Sequence, residues 1–122
     1  MNYDGDSFKA VWSNGLLRIH GIQIEDNTLG LLQIVLEAAM DEDEFRLVWD
    51  LRGMERPGIR QLWSIIGFAQ DMKPKLDRYV TKTSIVVAPK YEKTIKFILK
   101  FAGPSCPCYV GTDIYEAKRF VK

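Results

Sequence analysis

The sequence predicts an α/β domain: a mostly parallel sheet of four to five strands, helices on both faces, and an N-terminal β-hairpin set antiparallel at one edge. Three observations carry this expectation. Two extended segments meet at Asn14-Gly15, a two-residue turn that matches the twist of paired strands. Downstream, short strand-like runs alternate with segments whose apolar residues recur at helical spacing, the pattern of βα units. Finally, TSIVVA (Thr83 to Ala88) is β-branched and apolar almost throughout, as befits a strand buried on both faces.

Element by element, FKAVWS (Phe8 to Ser13) and LLRIHGIQI (Leu16 to Ile24) form the hairpin. Leu17 and Ile19 alternate with Leu16, Arg18 and His20, which places His20 on the more polar face as a solvated or hydrogen-bonded side chain. Several N-cap candidates from Glu25 to Thr28 precede a helix expected over Leu29 to Met40, with Leu32, Val35, Leu36 and Ala39 on one face. Asp41 to Glu44 is an acidic run whose charge opposes the helix dipole, so it reads as a solvated turn. FRLVWD (Phe45 to Asp50) is the next strand. Pro57 suits a first helical position, and Ile59, Leu62, Trp63, Ile66 and Ala69 form the stripe of a helix ending near Met72, ahead of Pro74. Thr83 to Ala88 follows as a strand. After Pro89 a third helix shows Tyr91, Ile95, Ile98, Leu99 and Ala102 on one face and lysines on the other, and Gly103-Pro104 ends it. Cys108 to Val110 is a short strand, and the Asp113 to Glu116 capping pattern opens a last helix reaching Val121. The predicted order is β-β-α-β-α-β-α-β-α.

Length and composition bound the rest. A chain of 122 residues is one domain, spanning 1–122, with room for a hydrophobic core. Its 47% hydrophobic and 27% charged residues are ordinary for a globular chain, and a net charge of +1 selects neither nucleic acid nor an acidic partner. No apolar run approaches the roughly 20 residues of a membrane span. The polar start MNYDGDSFK lacks the form of a signal peptide, so the expected location is cytoplasmic. Cys106 and Cys108 flank Pro107 and are expected to be reduced thiols packed on either side of a short strand. Zinc needs more ligands than these and the single His20 supply, so no metal or cofactor is expected.

The segments GLLRIHG, LVWDLRGM, IRQLWSIIGFA and YEAKRFV, from about Leu16 to Val121, resemble the STAS domain, the SpoIIAA-like family of anti-sigma-factor antagonists and transporter tails. That resemblance implies a non-enzymatic domain acting through protein–protein or small-ligand contact. Bacterial members of that family switch through a serine at the start of the helix after the Asp-Leu strand. Here that place reads Glu55-Arg56-Pro57-Gly58, and no hydroxyl residue occurs between Asp50 and Trp63. The resemblance therefore implies a kept scaffold, an absent phosphorylation switch and a fixed loop. A second stretch, SIVVAPKYEKTIKFILKFAGPSCP, resembles the core of the CRAL-TRIO lipid-transfer domains, in which the helix after an Ala-Pro pair gates a lipid pocket. This alternative implies a small lipid or apolar-ligand binder, although the chain lacks the extra N-terminal helices of those domains.

Candidate sites follow from the strand ends. In open α/β sheets ligands dock at the carboxyl edge, which here carries Asp50, Arg52, Arg56 and Gly58, then Lys90 and Tyr91, then Thr112 and Asp113. One reading is a polar pocket holding a small anion near the second helix's free N–H groups. The other is that Asp50 serves its own turn and the arginines are solvated. The third helix is a second candidate, as a surface or lid helix, because Phe97 and Phe101 lie beside Lys93, Lys96 and Lys100. A broad core stripe with snorkelling lysines explains the same residues. No catalytic motif is present: the chain has no Gly-x-Ser-x-Gly, phosphate-binding glycine loop or His-Glu-x-x-His. The expected partner is a protein, including a second copy of the chain paired through the FKAVWS edge or the aromatic flank of the third helix.

Overall fold

The computed structural model describes residues 2–122. In chain order the elements are β1 (Asn2–Asp4), β2 (Lys9–Ser13), β3 (Leu16–His20), α1 (Thr28–Met40), β4 (Phe45–Asp50), α2 (Ile59–Tyr79), β5 (Val80–Val86), a 3-10 turn (Pro89–Tyr91), α3 (Glu92–Ala102), β6 (Cys108–Gly111) and α4 (Ile114–Phe120). The six strands lie side by side in the order in which the chain makes them. The first two pairings are antiparallel and the other three parallel.

That strand order explains the layering. Three successive parallel crossovers move across the sheet in one direction, and right-handed crossovers of that kind place every connecting helix on the same face. Accordingly α1, α2 and α3 share one side, over a core built from Leu17, Ile19, Leu47 and Ile85 of the sheet. Helix α4 alone covers the opposite face. There Ser84 donates its hydroxyl to the Ala117 carbonyl at 2.9 Å and Arg46 donates to the Val121 carbonyl at 2.8 Å. The parallel portion contains no reversal of strand order, so the crevice of a topological switch point does not arise at the carboxyl edge.

The hairpin turn is as expected, with Asn14 and Gly15 both at positive φ (52° and 74°), the type I′ geometry. Five expectations need correction. Six strands are present rather than four or five, because Asn2–Asp4 pairs with β2 through its backbone. FKAVWS is consequently not a sheet edge. Helix α2 begins after Pro57, with Gly58 at the N-cap and its N–H donated to the Gln61 side chain at 2.9 Å. It also passes through Pro74 to Tyr79. The N–H that Pro74 lacks would have bonded the Gln70 carbonyl. Both residues are exposed, so that carbonyl is left to water. Beyond the proline, Leu76 and Tyr79 pack on the core and Lys73 pairs with Asp77 at 2.9 Å, which holds the last turns helical. Lastly, the two free thiols do not straddle a strand: both pack into the apolar layer under the helices, as residues two apart on extended chain should.

Candidate functional site

At the carboxyl edge, Asp50 and Arg52 satisfy each other. Arg52 donates Nε to Asp50 Oδ1 at 2.9 Å and Nη2 to Oδ2 at 2.7 Å, and its backbone N–H reaches Oδ1 at 3.3 Å. The following loop is pinned by Gln23, which donates to the Gly53 carbonyl and accepts from the Glu55 N–H. Arg56 and Gly58 are exposed, and Lys90 lies 5.1 Å above the Tyr91 ring. Asp113 caps α4 by accepting from the Tyr115 and Glu116 N–H groups, beside exposed Thr112. Most of these side chains hold local geometry. The guanidinium best placed for an anion is already neutralised.

Two titrations at this edge point the same way. Burial and the neighbouring Arg18 push the His20 imidazole below 6.5, against the pull of Asp50, its register partner on β4. Burial pushes the Asp50 carboxyl up, but the Arg52 hydrogen bonds outweigh it and hold it below 3.8. The unfolded chain therefore binds more protons at both groups, and stability rises with pH across each window. His20's contribution is whole above pH 6.5 and is lost as pH falls through its lower folded value; Asp50's follows the same course below 3.8. Urea midpoints should thus fall in two steps on acidification. His20→Asn should remove the upper step and Asp50→Asn the lower; unchanged pH profiles in both variants would contradict the assignment.

A cavity of about 170 Å³ lies between the sheet and the three helices on its face. Leu47, Trp49, Thr83 and Ile85 form its floor, and Ile65, Phe68, Ala69 and Leu76 of α2 line one side. Ile95, Ile98, Leu99 and Ala102 of α3 complete the opposite wall. Thr83 spends its hydroxyl on the Leu47 carbonyl at 3.0 Å, so the floor offers little free polarity. The charged lining groups are Lys73 and Asp77, both partly exposed. Lys73 Nζ donates to Asp77, to the Gly103 carbonyl at 2.7 Å and to the Ser105 hydroxyl at 3.1 Å. This polar cluster ties α2 to the segment between α3 and β6. Cys106 also lines the cavity, and burial raises its thiol; burial pushes Cys108 up to about 11. Both remain thiols at neutral pH and are poor nucleophiles.

The sequence pointed to α3 but not to the cavity's other walls. Small residues facing inward on two adjacent helices, Ala69 and Ala102, were the available signal of unfilled space. On the outer side of α3, Phe97 and Phe101 are exposed and meet Trp63 of α2 in edge-to-face contacts. Lys96 is tied to Glu92 at 3.8 Å, whereas Lys93 and Lys100 make no ion pair among the described residues. No described helix is long and apolar enough to cross a membrane.

This architecture is a SpoIIAA-like α/β fold. The chain is similar to the crystal structure of an uncharacterised DUF3478-family protein with a SpoIIAA-like fold from Shewanella loihica PV-4. The TM-score is 0.62, the identity 11%, and the match covers 94% of this chain and 92% of that one. It is also 27% identical, over 112 residues, to a segment of the phenylalanine–tRNA ligase beta subunit of Pseudomonas fluorescens. That match covers 87% of this chain, which spans 14% of the length of the ligase subunit. No family model matches.

Proposed function

We propose that this domain is a non-enzymatic, STAS-like binding module that holds a small apolar or amphipathic molecule in the cavity beneath α3. The cavity carries the reading. The pocket is apolar, opens partly to solvent, and is near the volume of an engineered core cavity that takes up benzene, about 150 Å³, so an apolar guest would fill it favourably. Binding without catalysis is supported by thiols held protonated and by an Asp50 carboxylate committed to Arg52. The absent hydroxyl between Asp50 and Trp63 and the pinned loop support a scaffold without the family's phosphorylation switch. The likeness to a segment of a tRNA ligase subunit raises RNA as an alternative. A net charge of +1 provides little field for a phosphate backbone, which favours the apolar ligand.

The test is thermal unfolding and methyl NMR of the chain titrated with benzene, hexanol and hexanoate. At a hundredfold excess over Kd, a bound guest should add about 2.7 kcal/mol to stability. It should also shift the Ile85, Ile98 and Leu99 methyl signals. Preference for hexanol or hexanoate over benzene would place a head group at Lys73 and Ser105. If none of the three moves either observable, the reading fails.

A further inference from the structure

We propose that the outer face of α2 and α3 docks on the surface of an anionic lipid bilayer. Ile59 and Trp63, one turn apart on α2, are 70% and 51% exposed, and Phe97 and Phe101 of α3 adjoin Trp63 at ring separations of 6.4 and 5.9 Å. Aromatic side chains left open to water in one cluster mark a contact surface rather than scattered exposure. The charge beside them decides what covers it. Lys93 and Lys100 lie one turn before and after Phe97, and Arg60 follows Ile59; all three are exposed and without ion-pair partners among the described residues. The acidic groups on these helices lie elsewhere or are committed: Glu92 to Lys96, Asp77 to Lys73, and Asp71 two turns beyond Trp63.

Aromatic rings bordered by unpaired lysines form the pattern of a helix lying in the interfacial plane, rings at the headgroup boundary and ammonium groups on the phosphates. A second copy fits this face poorly. A two-fold contact presents the same patch from both sides, and here it would bring the unpaired lysines of one copy up to those of the other. The docking face is separate from the cavity, since Phe97 and Phe101 point outward while Ile95, Ile98 and Leu99 line the interior. The proposal therefore stands independently of the ligand reading.

The test is co-sedimentation with vesicles of phosphatidylcholine alone and of phosphatidylcholine mixed equally with phosphatidylglycerol. The chain should sediment with the mixed vesicles, remain free of the neutral ones, and dissociate as salt rises. Tryptophan emission should shift to shorter wavelength on binding, a change absent in Trp63→Phe. Lys93→Glu with Lys100→Glu, and separately Phe97→Ser with Phe101→Ser, should each weaken partitioning about tenfold or more. These positions are exposed, so far-UV circular dichroism should show the fold intact. Filling the cavity through Ala69→Phe should leave vesicle binding unchanged, which separates failure of this proposal from failure of the cavity reading. Absence of sedimentation, equal binding to neutral vesicles, or indifference to both double variants would overturn it. So would a dimer abolished by the Phe97/Phe101 changes, which would assign the face to self-association.

Discussion

A chain carrying Ala69→Phe should lose measurable binding of every guest that binds the parent, because the new ring occupies the space a guest would take. Ala69 lines the cavity from α2, and the void of about 170 Å³ is of the order of one aromatic side chain. Burying the added ring contributes about 1.5–3 kcal/mol, while forcing neighbours aside costs about 1–3 kcal/mol. The unliganded variant should therefore unfold close to the parent temperature, with the ligand-dependent rise absent. Ile34→Phe, on the exposed side of α1, serves as a control that keeps the rise. Retained binding in Ala69→Phe would show that guests sit elsewhere.

The largest loss of stability is expected at Phe45. Its ring opens β4, an interior strand of the sheet, is 2% exposed, and packs against Trp12 at a centroid distance of 5.9 Å. Truncation to alanine removes the transfer free energy of the ring and leaves a void between sheet and helices, a cost of about 3–5 kcal/mol. A domain of this size has about 5–15 kcal/mol in total. Phe45→Ala should thus lower the urea midpoint steeply with little change in slope. A loss below about 1 kcal/mol would mean that the surrounding side chains collapse into the gap.

The elements that were legible are those whose signal is local. The Asn14-Gly15 turn, the β-branched run into Val86, the apolar stripe of α1 and the Asp113 cap are each written within a few residues. β1 was not legible because Asn2–Asp4 is short, carries no β-branched residue, and is held by backbone pairing to β2. The continuation of α2 past Pro74 depended on tertiary anchors, Leu76 and Tyr79, that outweigh one lost hydrogen bond at a wetted position. The carboxyl edge looked like a binding site because Asp50 and Arg52 are charged, and their pairing with each other appears only in three dimensions. The cavity is a subtler case. It is the space left by side chains from three helices and the sheet, so no single stretch could announce it, although α3 was marked as a candidate lid.

Strict agreement between strand order and chain order also has a kinetic meaning. Each strand meets only the strand made before it and the one made after it, so no pairing skips over an intervening strand. The longest connection between paired strands runs from Asp50 to Val80, and most of it is helix, which shortens the span to be closed. Closure entropy grows only slowly with loop length, and chains whose contacts are near neighbours fold faster than those relying on remote pairings. The hairpin of β2 and β3, closed by the two-residue turn, is the most local pairing in the sheet. The edge strand β6 follows the segment that carries Ser105 and Cys106, so the cavity wall on that side depends on the final pairing of the sheet.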